Sequence, residues 1–77
     1  MRDFESSDRG KRVYNAMGDE VGTIDDIEGK EAHVKPASDL SRSTRQKLGW
    51  TEEGETTYRL ETSKVDKIDD KGVHLKD

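Results

Sequence analysis

Apolar and polar residues alternate with a period of two over residues 10–27 (GKRVYNAMGDEVGTIDDI). This alternation predicts half-buried β-strands, and the glycine-containing residues 16–19 predict a reversal between them. We therefore expect a hairpin with strands over residues 12–15 and 20–24. The step from Ile24 to Ile27 breaks the period, which predicts a β-bulge or a sharp bend.

A second pattern is an internal repeat. Residues 24–34 (IDDIEGKEAHV) and 65–75 (VDKIDDKGVHL) align without a gap at an offset of 41 residues. Each copy is predicted to be a strand, an acidic turn and a return strand. Two such hairpins could pack about a pseudo-two-fold axis and close a barrel. The identical pairs are Asp25 and Asp66, Ile27 and Ile68, Lys30 and Lys71, and His33 and His74.

The segment between the two copies has a different pattern. Pro36 ends the preceding strand, since it lacks the N–H that a ladder needs. Ser38 or Asp39 can cap a short helix, which Gly49 would end in the left-handed conformation. Residues 51–56 are expected to be an acidic loop and residues 57–60 a strand. The apolar stripe of the predicted helix is Leu40, Thr44 and Leu48.

The expected fold is therefore mainly all-β: a small, partly open antiparallel β-barrel of about six strands with one short helical insertion. We assign residues 10–77 to this single domain and residues 1–9 to a flexible N-terminal arm. Phe4, the one large apolar side chain after Met1 in the arm, is interpreted as a tail residue, with a docked anchor as the alternative.

Composition limits the size of the core. Charged residues make up 42% of the chain and hydrophobic residues 27%, with a net charge of −4. We expect dimerisation or an unusual solvent such as high salt to supplement so small a core. The absence of cysteine excludes disulfides and thiolate zinc sites. No apolar run approaches the roughly 20 residues of a membrane-spanning helix, so the expected location is the cytoplasm.

The residues over 10–29 (GKRVYNAMGDEVGTIDDIEG) resemble the first hairpin of the PRC-barrel family, and those over 63–75 (SKVDKIDDKGVHL) resemble its last two strands. The run Leu48-Gly49-Trp50 and the acidic composition resemble the short single-domain forms of haloarchaea. The resemblance implies a docking module, as in the reaction-centre H subunit, a ribosome-maturation factor and small archaeal cell-division proteins. It implies a protein partner, either another PRC-barrel chain or a membrane-tethered division protein.

Candidate chemistry is sparse. His33 and His74 each lie between apolar neighbours on a predicted strand, so alternation turns them outward, and neither has the spacing of a metal motif. A sensor site of both histidines with Asp25 or Asp66 would require the two hairpins to meet. No nucleophile elbow or phosphate-binding loop is present. We predict a non-enzyme without cofactor or metal.

The candidate binding segment is residues 40–50 (LSRSTRQKLGW), which carries three cations and no acid. In one interpretation the cations complement the helix dipole and the tryptophan closes the barrel mouth. In the other, the segment binds an acidic partner or a second copy of the chain. The predicted partner-binding residues are Arg42, Arg45, Lys47, Leu48 and Trp50.

We interpret the chain as a non-catalytic protein–protein adaptor that dimerises and recruits partners, in the setting of archaeal cell division that the resemblance implies. The alternative is a ribosome- or RNA-associated factor. A pI of about 5.1 and the lack of a basic stripe disfavour nucleic-acid partners.

Overall fold

Six strands form one mixed sheet in the computed structural model, which describes residues 4–51 and 56–76. The strand order is β4-β3-β2-β1-β6-β5, and the sheet curls into a half-barrel. A short helix, α1, follows β3, and two 3₁₀ turns precede β1 and β5. The bounds are Ser6–Asp8 (first 3₁₀ turn), β1 Arg12–Tyr14, β2 Glu20–Glu28, β3 Glu31–Pro36, α1 Arg42–Leu48, β4 Tyr58–Glu61, Thr62–Lys64 (second 3₁₀ turn), β5 Val65–Asp69 and β6 Gly72–Leu75.

The predicted small, partly open barrel with one helical insertion is confirmed. Four of the strand pairings are antiparallel, but β1 pairs with β6 in parallel, at Val13 with Val73 and Tyr14 with His74. The edges of the strand order are β4 and β5, which are consecutive in the chain and are joined by the second 3₁₀ turn. The opening of the half-barrel therefore lies along this β4–β5 connection.

The internal repeat has the same geometry in both copies. In β2–β3 the register shifts between Ile24 and Asp26, and in β5–β6 it shifts between Val65 and Lys67, at the equivalent position. The predicted bulge after Ile24 is confirmed. The two hairpins share a register as well as a sequence pattern, and β1 lies between them in the sheet.

The core lies on the inner face of the sheet, where the alternation of each strand places its apolar residues. It includes residues of all six strands together with the tryptophan after α1 and a phenylalanine ahead of the first 3₁₀ turn. The buried apolar residues are Phe4, Val13, Val21, Ile24, Ala32, Val34, Trp50, Tyr58, Leu60, Val65, Val73 and Leu75.

The described part of the N-terminal segment, residues 4–9, contributes two buried side chains to the domain. Phe4 is only 5% exposed and belongs to the core. The Asp8 carboxylate is fully buried, where it accepts the Glu5 N–H at 2.8 Å and pairs with Lys11 Nζ at 3.0 Å. Just beyond, the Gly10 N–H donates to the carbonyl oxygen of Ile24. The alternative of a docked anchor is the one that the structure bears out.

The helix begins later than the sequence predicted. Its N-cap is Ser41, whose Oγ accepts the Thr44 N–H at 3.2 Å, rather than Ser38 or Asp39. Leu40 precedes the helix because its N–H bonds to the carbonyl of Ala37 in a separate turn. The predicted end is confirmed, since Gly49 is left-handed with φ of 77°. Most of the predicted acidic loop, residues 52–55, lies outside the described residues.

Candidate functional site

A pocket of about 210 Å³ opens where the end of α1 meets the β4–β5 connection. We call it the seam pocket. Its walls come from α1 and the residues after it, from β4, from the second 3₁₀ turn and from the end of β6. The lining residues are Lys47, Leu48, Trp50, Arg59, Leu60, Glu61, Lys64 and Leu75.

The floor of the seam pocket is apolar and belongs to the core. Trp50, Leu60 and Leu75 are each no more than 4% exposed, and Leu48 packs against them half-buried. The Trp50 ring stacks on the Tyr58 ring, with centroids 5.8 Å apart and an angle of 15° between the planes. This stacking holds the tryptophan against β4, so the apolar floor of the pocket includes an aromatic ring.

Arg45 holds α1 to this wall. Its Nε donates to the carbonyl oxygen of Trp50 at 3.2 Å, and its Nη2 donates to the Tyr58 hydroxyl at 3.3 Å. The Trp50 N–H returns a bond to the Arg45 carbonyl at 2.8 Å. Arg45 therefore holds the helix to the residues after it and to β4, and Trp50 is a buried core residue.

The structure brings together three of the five predicted partner-binding residues, since Lys47, Leu48 and Trp50 all line the seam pocket. Arg42 is exposed on the first turn of α1 and is not part of the lining. Arg45 contacts Trp50 from outside the lining.

The rim of the seam pocket is mainly basic. Lys47 and Lys64 have no carboxylate partner among the residues that the structure describes. Arg59 pairs with Glu31 on the neighbouring strand at 2.6 Å, and the one lining carboxylate, Glu61, accepts a hydrogen bond from Ser63. Ammonium groups beside an apolar floor can attract a carboxylate that flanks an apolar group.

Five of the eight lining residues were not among the predicted ones. No local pattern links them to α1, since they come from β4 and the segments after it: Arg59, Leu60, Glu61, Lys64 and Leu75. The one available signal was the alternation in the strand after residue 57, which places Leu60 inward and Arg59 outward.

The two histidines do not form a joint site. Each faces a carboxylate of its own hairpin: His33 Nε2 lies 3.2 Å from Glu28 Oε2, and His74 Nε2 lies 3.1 Å from Asp69 Oδ1. Their strands, β3 and β6, are separated in the sheet by β2 and β1. Within residues 4–51 and 56–76 no group of three His, Cys, Asp or Glu side chains is placed to hold a metal ion.

The His74 pair affects the acidity of its carboxylate. Partial burial raises the pKa of Asp69, but hydrogen bonds from His74 and from the N–H groups of Lys71 and Gly72 outweigh it and hold the pKa below its usual value. The two backbone bonds close the β5–β6 turn. This pairing is therefore explained by its structural role in the turn.

None of the helices in the described part of the chain has the length and apolar character needed to cross a membrane.

Comparison with known proteins identifies the family. The model of DUF8593, a family of unknown function, matches residues 4–75. The chain belongs to this family. The match begins at Phe4 and ends at Leu75, both core residues, so the docked N-terminal segment is part of the family's common unit. No curated protein and no solved structure shows significant similarity to the chain.

Proposed function

We propose that this protein is a non-catalytic protein-interaction module of PRC-barrel type, which binds an acidic segment of a partner protein through the seam pocket. The observation that carries the proposal is the seam pocket itself, with an apolar floor and a basic rim in a chain of net charge −4. The lining residues include no histidine, cysteine or serine, which fits binding rather than catalysis.

The size of the pocket suits one large apolar side chain. An engineered apolar cavity of about 150 Å³ holds a benzene molecule, and the seam pocket measures about 210 Å³. A leucine or phenylalanine of the partner would bury its side chain against Trp50 and Leu60. Such an anchor in a preformed pocket is the usual centre of a binding interface.

The basic rim of the seam pocket favours acidic residues beside the apolar anchor of the partner. Lys47 and Lys64 lack carboxylate partners within residues 4–51 and 56–76, so a partner carboxylate that binds them breaks no ion pair among these residues. A basic segment would instead place like charges together. Rim charges act mainly on the association rate and the salt dependence, so binding should weaken as ionic strength rises.

We further propose that the chain dimerises and that its partner is a second PRC-barrel chain or a membrane-tethered division protein, with the cytoplasm as its location. The small core supports dimerisation, and the family resemblance supports the setting in archaeal cell division. Light scattering over micromolar to millimolar concentrations tests the dimer. A monomer throughout that range would contradict it.

A random peptide library displayed on phage, selected against the immobilised protein, tests the binding function. We expect the enriched peptides to share one large apolar residue with Asp or Glu beside it. The double variant Lys47→Glu/Lys64→Glu should lose them, while Lys30→Glu, a change of an exposed turn lysine outside the pocket, should retain them. Enrichment of basic peptides, or equal retention by the double variant, would contradict the proposal.

A further inference from the structure

A second groove, separate from the seam pocket, lies where the start of β1, the β1–β2 turn and the β5–β6 turn meet. It has a volume of about 740 Å³. We call it the basic groove, because its lining holds four basic side chains and a single carboxylate, Asp70. The side chains that matter for binding are Arg9, Lys11, Arg12, Tyr14, Lys71 and His74.

Three cationic side chains of the basic groove can bind an anion: Arg9, Arg12 and Lys71. Arg9 pairs with Asp26 at 2.6 Å, and Arg12 pairs with Glu20 at 3.4 Å, but all four side chains are at least 43% exposed. Exposed ion pairs contribute little to stability, so a stronger anion can replace these carboxylates. Lys71 has no acidic side-chain partner within the described part of the chain.

Lys11 has a different role. Its ammonium group lies 3.0 Å from the fully buried carboxylate of Asp8 and is 25% exposed. Taking a charged partner away from a fully buried carboxylate is costly, so Lys11 stays in place when a ligand binds. It fixes the floor of the groove between the two arginines.

An aromatic surface lies beside these cations. The rings of Tyr14 and His74 stack with centroids 5.4 Å apart and an angle of 21° between the planes. Asp69 holds the imidazole at 3.1 Å, and both residues are partly buried. A rigid pair of rings next to a positive groove is the combination with which proteins bind single-stranded nucleic acids, through stacking and phosphate contacts.

We infer that the basic groove binds a nucleotide, with its phosphate against Arg9, Arg12 and Lys71 and its base against the Tyr14–His74 pair. The nucleotide is either free or a unit of a single-stranded oligonucleotide. The sequence shows no basic stripe because the fold assembles the groove from residues 9–12 and from the distant β5–β6 turn. This inference is independent of the seam pocket, with which the groove shares no lining residue.

Fluorescence anisotropy with a labelled ten-residue oligoadenylate at low salt, and calorimetry with AMP and with inorganic phosphate, test the inference. We expect the oligonucleotide or AMP to bind more tightly than inorganic phosphate, and affinity to fall as salt rises. If AMP and the oligonucleotide bind with equal affinity, the ligand is a free nucleotide. If only the oligonucleotide binds, the ligand is a single strand. No binding of either AMP or the oligonucleotide, or inorganic phosphate bound as tightly as whichever of them binds, would overturn the inference.

Two variants with the same charge change locate the site. Arg12→Glu/Lys71→Glu should lose affinity at least tenfold, whereas Lys30→Glu/Lys35→Glu, at exposed positions outside the groove, should change it less than twofold. Equal losses in both variants would show non-specific attraction and overturn the site. If the first variant fails to fold, Lys71→Glu alone, at an exposed turn position, should lose affinity about threefold, and an unchanged affinity would overturn the site.

Discussion

The burial of Phe4 gives the sharpest expectation about stability. Truncating a buried phenylalanine to alanine typically costs about 3–5 kcal/mol, and Phe4 is 5% exposed in the core. Phe4 belongs to a short docked segment, residues 4–9. The stability lost on truncation therefore cannot exceed the free energy with which this segment binds to the rest of the domain. We therefore expect Phe4→Ala to lower the free energy of unfolding by about 3 kcal/mol. Domains have only about 0.05–0.15 kcal/mol of stability per residue, so this is a large fraction of the total.

Urea unfolding followed by Trp50 fluorescence and by far-ultraviolet circular dichroism measures the effect. Met17→Ala is the matched control, since Met17 is 83% exposed and its truncation should change stability by less than about 0.5 kcal/mol. If Phe4→Ala also stays within that limit, residues 4–9 are not part of the folded unit and the reasoning from burial fails.

Two further changes test local features of the fold. Gly72→Ala should destabilise the protein by more than about 2 kcal/mol, because φ is 148° and the new Cβ would lie 2.2 Å from the Arg12 carbonyl oxygen; an unfolding midpoint equal to that of wild type would contradict this packing of β6 on β1. The pKa of Asp26 is held below its usual 3.8 by the Ile27 N–H and then by Arg9. The ionised Asp26 carboxylate therefore stabilises the fold at pH values above 3.8, and this stabilisation is lost as the pH falls through the lowered pKa. Asp26→Asn should show a smaller loss of thermal midpoint on acidification than wild type, and an unchanged acid dependence would refute the pairing.

The sequence was sufficient for those parts of the fold that depend on neighbouring residues. Alternation and turn glycines located the hairpins, and the step from Ile24 to Ile27 located the bulge in β2, since a bulge is a break in a local period. The left-handed end of α1 followed from Gly49. Each of these features is determined by residues within a few positions of it in the sequence.

The remaining features depend on contacts between distant segments. The parallel pairing of β1 with β6 joins residues about 60 positions apart, and no periodicity encodes its direction. Phe4, which the sequence analysis interpreted as a tail residue, is buried through such contacts, and so is Asp8, which pairs with Lys11. Trp50 is likewise buried through contacts outside its own segment, among them the stacking of its ring on Tyr58, which the pattern of residues 40–50 does not encode.

A charge-reversal titration tests the central claim most directly, with Trp50 fluorescence as the signal because this tryptophan lines the seam pocket. The probes are two peptides with a central leucine, EELEE and KKLKK, added to wild type and to Lys47→Glu/Lys64→Glu. We expect wild type to bind the acidic peptide more tightly and the double variant to reverse that preference, with Lys30→Glu behaving as wild type. The same preference in wild type and in the double variant, or no change in Trp50 emission with either peptide, would contradict the proposal that the seam pocket binds acidic partner segments.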